Sequence, residues 1–173
     1  MILSTEALTH QVIEQNVKVG DIVIDGTTGN GINTRFLATR VGNSGLVLSY
    51  ATTRDNANAT ATSLFMSGLS ERVNILGKNI DNNVYAEIGL QSQVSVAIFD
   101  YSQDAQNENE CPQDYLDKIQ LVLSRLTHSG IMIVKFSKVP IAWQNFSDNL
   151  LKADYNQSFY SDNRTIAYFI ERI

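Results

Sequence analysis

The stretch "IVIDGTTGNGINTRFLA", residues 22–38, decides the fold. A short apolar run ends at Asp25, crosses three glycines within six residues, and resumes with helical spacing through Phe36 and Leu37. Strand, glycine turn and helix in that order open a βα unit, whose turn carries backbone N–H groups up to a ligand. The plain alternative is a tight turn with no ligand, since glycine also serves where the backbone takes conformations closed to other residues.

Outward from this unit the same alternation repeats. Upstream, Leu8, Val12, Ile13 and Val17 share one side of a helix expected over 6–17. Downstream, Phe36, Leu37 and Val41 are expected to face inward from a helix over 33–41. Continuous apolar runs at 45–50, 72–77, 94–100 and 130–136 read as further buried strands. Helical patterns separate them at 53–69, more weakly at 82–90, and at 113–126. Another helix, over 140–153, is opened by Pro140 at a favoured first-turn position. "YNQSFYS" and "TIAYFIERI", separated by "DNR", read as a closing hairpin. This pattern predicts one doubly wound α/β domain over 1–173, Rossmann-like. About seven strands are expected, mostly parallel, with an antiparallel C-terminal pair.

Composition narrows the function classes. The chain has 173 residues and a net charge of −5, which argues against a broad phosphate-binding surface of Lys and Arg. Arg35, Arg40 and Arg54 read as scattered surface charges. Cys111 is the only cysteine, so an internal disulfide and a cysteine-rich metal cluster are excluded. No apolar run approaches the roughly 18 residues of a membrane span, and "MILSTEALTHQ" lacks the features of a signal peptide. A cytoplasmic protein with no membrane partner is the simplest reading, with homodimer formation left open.

In a doubly wound sheet, ligands bind beyond the carboxyl ends of the strands. That edge gathers Asp25 to Gly31, the end of the second strand, 78–81 and 100–102. "GNGINT" is not the GxGxxG dinucleotide fingerprint, because Thr34 stands where a small residue is wanted, and no GK[ST] follows to make a P-loop.

The longer string "VKVGDIVIDGTTGNGINTRFLATRVGNSGLVLSY" resembles the small class I S-adenosylmethionine-dependent methyltransferases of the rRNA methylase family, related to tRNA wobble-uridine methyltransferases. "GNG", the following Thr, "FLA" and "VG…G" recur in register, and the match runs to about Gly77. The resemblance implies S-adenosyl-L-methionine as cofactor, with Asp25, Gly26, Thr27, Gly29, Asn30, Gly31 and Asn33 around its methionine part. It also implies Ala51, Thr52 and Asn79 along the adenosine side.

The chain departs from that family at the site edge. Ala51 stands where the ribose-binding acid is expected, and Lys78 where a histidine is. "FDYSQDAQ" and "KFSK" replace the family segments after the fourth and fifth strands. Thr52, Thr53 or Asp55 are candidates to make up for the missing acid, and Ala51→Asp is expected to restore it from a strand end that points into the crevice. Asp100, as proton acceptor, and Tyr101 are the catalytic candidates; His10 and His128 read as surface or structural residues. Two functions follow: a methyltransferase acting on RNA or a small molecule, with the acidic loop "YSQDAQNENE" facing the acceptor, or a methyltransferase-fold binding module that has lost catalysis.

Overall fold

The computed structural model describes residues 1–102 and 112–173, with the side chains of 112–114 outside that description. The expectations for most of the acidic loop and for Cys111 therefore lie outside the described residues.

Ile22–Asp25 forms β1 at the middle of a seven-stranded sheet, between β2 (Leu46–Tyr50) and β4 (Val94–Tyr101). Beyond β2 lies β3 (Val73–Leu76); beyond β4 lie β5 (Leu126–Phe136), then β7 (Ile166–Arg172), then β6 (Tyr155–Ser161) at the edge. The first five strands are parallel, and β7 is antiparallel to both of its neighbours. Because the chain leaves β1 for β2 on one side and returns to β4 on the other, strand order reverses beside β1. A crevice opens at such a point.

Helices cover both faces, so apolar side chains are wanted on both sides of each central strand. Val23, Ile98 and Ile133 face α1 (Thr5–Asn16), α2 (Ile32–Val41) and α3 (Arg54–Met66), packing with Ile13, Leu37, Val41 and Leu64. Ile24, Phe99 and Val134 point the other way, with α4 (Val84–Ile88), α5 (Pro112–Leu123) and α6 (Ile141–Asp148), and pack with Val84, Ile119 and Trp143. Phe36 is only half-buried, and His10 of α1 stacks on it with ring centroids 4.1 Å apart. No helix among the described residues is long and apolar enough to cross a membrane.

Some boundaries differ from the sequence reading. β5 begins at Leu126, not Gly130, and the expected helix stops at Leu123. The strand absorbs the turn-like "THSG": its register against β4 slips between Val94 and Val96, and Ser129 takes a φ of 62°. His128 is an exposed residue of this bulge. α6 ends at Asp148, where the Asn149 side chain donates back to the Asn145 carbonyl, and Pro140 is its N-cap residue.

The hairpin turn between β6 and β7 anchors α1. Asp162 accepts the Thr5 N–H at 2.8 Å, and the Thr5 hydroxyl pairs with that of Thr165. The backbone N–H groups of Thr5, then of Arg164 and Thr165, hold the Asp162 carboxyl well below the usual carboxylate range.

Candidate functional site

A cavity of about 470 Å³ opens at the carboxyl ends of β1, β2, β4 and β5. That size suits a small-molecule or cofactor site.

Behind its loop wall stands Asp25, the last residue of β1, which is only 2% exposed. The Thr34 hydroxyl donates to its Oδ2 at 2.7 Å, and the Thr27 N–H donates to its Oδ1 at 3.2 Å. Ser49 of β2 links the Thr34 and Thr28 hydroxyls at 2.7 and 2.6 Å, so a buried polar cluster ties β1, its loop, α2 and β2 together. Burial pushes the Asp25 carboxyl up to about 6. Hydrogen bonds from Thr34, Thr27 and Thr28 oppose that rise, and nearby Asp100 adds to it.

The three loop glycines are not equivalent. A Cβ at Gly26 would lie 2.4 Å from the Phe99 ring. Gly31, the N-cap of α2, has a φ of +91° and sits against Thr60, where a Cβ would meet the hydroxyl at 2.9 Å. At Gly29 a Cβ would meet nothing within 4 Å, and this residue lines the cavity. The protein's own packing requires two of the glycines to lack a side chain; Gly29 is bare toward open space. The Thr60 hydroxyl also donates to the Gly29 carbonyl at 3.3 Å, so α3 steadies the loop.

Of the residues singled out in the sequence, Gly26, Thr27, Gly29, Asn30 and Asn33 line the cavity on the loop side. Thr52, Asn79, Asp100 and Tyr101 line it elsewhere. Asp25, Gly31 and Ala51 do not. Asp25 and Gly31 support the loop from behind, but Ala51 corrects the sequence reading: it is 1% exposed, and its N–H donates to the Leu76 carbonyl at 2.9 Å. It presents no polar group to the cavity, where the wall is made by Thr52 and Asn56. Thr53 is occupied as the N-cap of α3, accepting the Asn56 N–H at 3.1 Å, and Asp55 does not line the cavity.

Lys78, at the family's histidine position, turns to Glu87 and Asp81, at 2.9 and 3.1 Å. Its neighbour Asn79 accepts a 2.9 Å hydrogen bond from Lys118.

Asp100 and Tyr101 reach the cavity from opposite faces of β4. Tyr101 stacks on Phe136 and meets Tyr115 at a tilt, with centroids 5.7 and 4.1 Å away, on the α5 side. Asp100 lies on the α1 side, donating its N–H to the Thr27 hydroxyl at 2.7 Å and accepting from both the N–H and the hydroxyl of Ser102. Its other oxygen faces Lys135 of β5 at 3.5 Å.

The sequence reading missed Asn56 and Lys135 on the cavity wall, and the hydroxyl cluster that Thr28 forms with Thr34 and Ser49. Lys135 had a legible signal, a charge inside the buried strand "IMIVKF". The hydroxyl cluster had none, because its members meet only through the tertiary fold.

Solved structures share this architecture over the whole chain. A candidate rRNA methylase from Clostridium thermocellum is 21% identical, with a TM-score of 0.85 and all of both chains covered. An rRNA methylase from Streptococcus thermophilus is 20% identical at a TM-score of 0.85, with all of this chain and 99% of that one covered. The fold is that of the class I methyltransferases. A candidate methyltransferase from Streptococcus mutans, whose structure is a complex with SAH (S-adenosylhomocysteine), is 20% identical at a TM-score of 0.83 over all of both chains. Identity at this level is a likeness of fold. No protein-family model matches the chain, and no curated protein matches it by sequence.

Proposed function

We propose that this protein is an S-adenosyl-L-methionine-dependent methyltransferase. The observation that carries the reading is the Gly29 position, which lines the cavity with no side chain and no neighbour within 4 Å of where a Cβ would stand, just past the carboxyl end of the central strand in a class I methyltransferase fold. The residues present fit the cofactor. Gly26, Thr27, Gly29, Asn30 and Asn33 hold its methionine end, supported from behind by Asp25 and Gly31. Thr52 and Asn56 take the ribose hydroxyls, and Asn79 stands on the base side.

When bound, the cofactor supplies a methyl group on a sulfonium, an electrophile that needs an aligned nucleophile more than it needs protein chemistry. This chain's part is alignment and proton removal. Asp100 lines the cavity and takes the acceptor's proton; Thr27 and Ser102 fix its position. Tyr101 forms an apolar wall with Tyr115 and Phe136.

One observation favours the second reading, a binding module without turnover: Ala51 and its neighbours offer no carboxylate to the ribose. A thermal-shift series with S-adenosylmethionine, S-adenosylhomocysteine and NAD tests the proposal. A ligand at about 100 times its Kd adds roughly 2.7 kcal/mol, so the first two should raise the melting temperature and NAD should not. No shift with either adenosyl ligand would remove the reading.

A further inference from the structure

Lys135 is a largely buried lysine that lines the cavity and has one long ion pair among the described residues. It is 6% exposed, and on β5 it is the direct cross-strand partner of Asp100 on β4. Its one ion pair among the described residues, to Asp100 Oδ2, is 3.5 Å long. A charge-assisted N–H···O bond runs to about 2.7–2.9 Å. The other Asp100 oxygen is taken by Ser102. The next strand offers no competitor, because Lys135 faces Ala167 across the β5–β7 pairing. Glu6, in the first turn of α1, lines the same cavity but makes no ion pair with Lys135. An ammonium carries three N–H donors, and the single facing carboxylate at 3.5 Å leaves it donors to offer a ligand. Lys135 lines the cavity, so those donors have a place to be satisfied.

We infer that the methyl acceptor is a small molecule bearing an oxyanion, a carboxylate or a phosphate, that docks on Lys135. The inference rests on the methyltransferase reading and names the acceptor class for the same cavity. Lys135 and Asp100 lie one residue before the ends of β5 and β4, whereas Gly29 follows β1 and Thr52 follows β2; the anion therefore sits on the far side of the cavity from the adenosine wall. Asp100 beside Lys135 then serves two ends of one acceptor: the lysine fixes the oxyanion while the carboxylate receives the proton lost by the nucleophile. A polynucleotide fits less well. The cations lining the cavity among the described residues are Lys118 and Lys135; Lys118 is already bonded to Asn79, and the chain's net charge is −5. Backbone phosphates need several exposed cations.

The test is a titration of the full chain with benzoate, inorganic phosphate and benzamide, followed by NMR, with and without saturating S-adenosylhomocysteine. At least one anion should bind tenfold or more tighter than benzamide, and the tighter of the two identifies the carboxylate or the phosphate class. Lys135→Gln should erase that preference while S-adenosylhomocysteine affinity stays within twofold. Lys135→Arg should keep the preference, which separates loss of charge from loss of fold. Asp100→Asn should tighten anion binding, because it removes the competing carboxylate. Equal binding of anions and benzamide, or an anion affinity indifferent to Lys135→Gln, would overturn the inference. So would a tenfold loss of S-adenosylhomocysteine affinity in Lys135→Gln, which would assign the lysine to the cofactor. A short single-stranded RNA that binds more tightly than either anion, irrespective of Lys135, would also overturn it. If the wild type fails to bind S-adenosylhomocysteine yet binds an anion through Lys135, the anion site stands and the methyltransferase reading falls.

Discussion

The Thr34 hydroxyl, in the first turn of α2, donates a 2.7 Å hydrogen bond to the carboxylate of Asp25 at the end of β1. This bond joins the strand to the helix across the glycine loop, inside the protein rather than in the cavity. It sets the height at which the loop stands over the crevice. Thr34→Val removes the donor and leaves a buried carboxylate short of one partner, a loss of about 1–3 kcal/mol. Urea unfolding at neutral pH should show that loss, and S-adenosylhomocysteine affinity should fall with it as the loop loosens.

Asp25 also makes stability depend on pH. Its folded carboxyl titrates near 6 against 3.8 unfolded, so the folded state holds the proton more tightly. The associated stabilisation is fully present below about pH 3.8 and is lost as pH rises through 6. Between pH 4.5 and 7.5 the wild type should lose about 2 kcal/mol from this group. Asp25→Asn, which has no carboxyl to titrate, should lose none of it. Urea unfolding of both proteins at the two pH values checks the difference. Parallel pH profiles would show that Asp25 does not carry the change.

At the second strand the structure reverses an expectation drawn from the sequence. Ala51→Asp would place a carboxylate at a position that is 1% exposed and whose backbone N–H is already engaged with the Leu76 carbonyl. It should destabilise the protein by about 1–3 kcal/mol and leave S-adenosylhomocysteine binding no tighter. Asn56→Ala, by contrast, should weaken that binding about tenfold, the effect of losing roughly 1.4 kcal/mol. Calorimetric titration of the two variants decides between the positions.

Asp162 should act on the start of α1. Its backbone hydrogen bond to Thr5 fixes the start of α1, and Glu6 follows directly at the cavity wall. Because its carboxyl is held below the ordinary range, its contribution persists through neutral pH and is lost as pH falls through the depressed value. Asp162→Ala should speed hydrogen exchange at the Thr5 amide while leaving that of Gly26, in the loop, unchanged.

The sheet was legible because parallel central strands are buried on both faces and appear as unbroken apolar runs; Val23–Ile24 and Val96–Phe99 are examples. β5 was read short because Thr127 to Gly130 look like a turn, yet the strand carries them as a bulge. The glycine loop was legible as a unit but not in its division of labour. Phe99 and Thr60, distant in sequence, decide that Gly26 and Gly31 serve packing and that Gly29 faces open space. Ala51 was misjudged for a related reason: its position in the sequence places it at the strand end, while its burial depends on neighbours such as Leu76.

Gly29 therefore carries the most direct test of the account. A Cβ there would meet nothing within 4 Å, so Gly29→Val should melt within a few degrees of the wild type. Calorimetric titration with S-adenosylhomocysteine should show clear binding to the wild type and none to the variant, because the added side chain occupies the cradle. A well-folded Gly29→Val protein that binds S-adenosylhomocysteine as tightly as the wild type would contradict the account and place the ligand elsewhere.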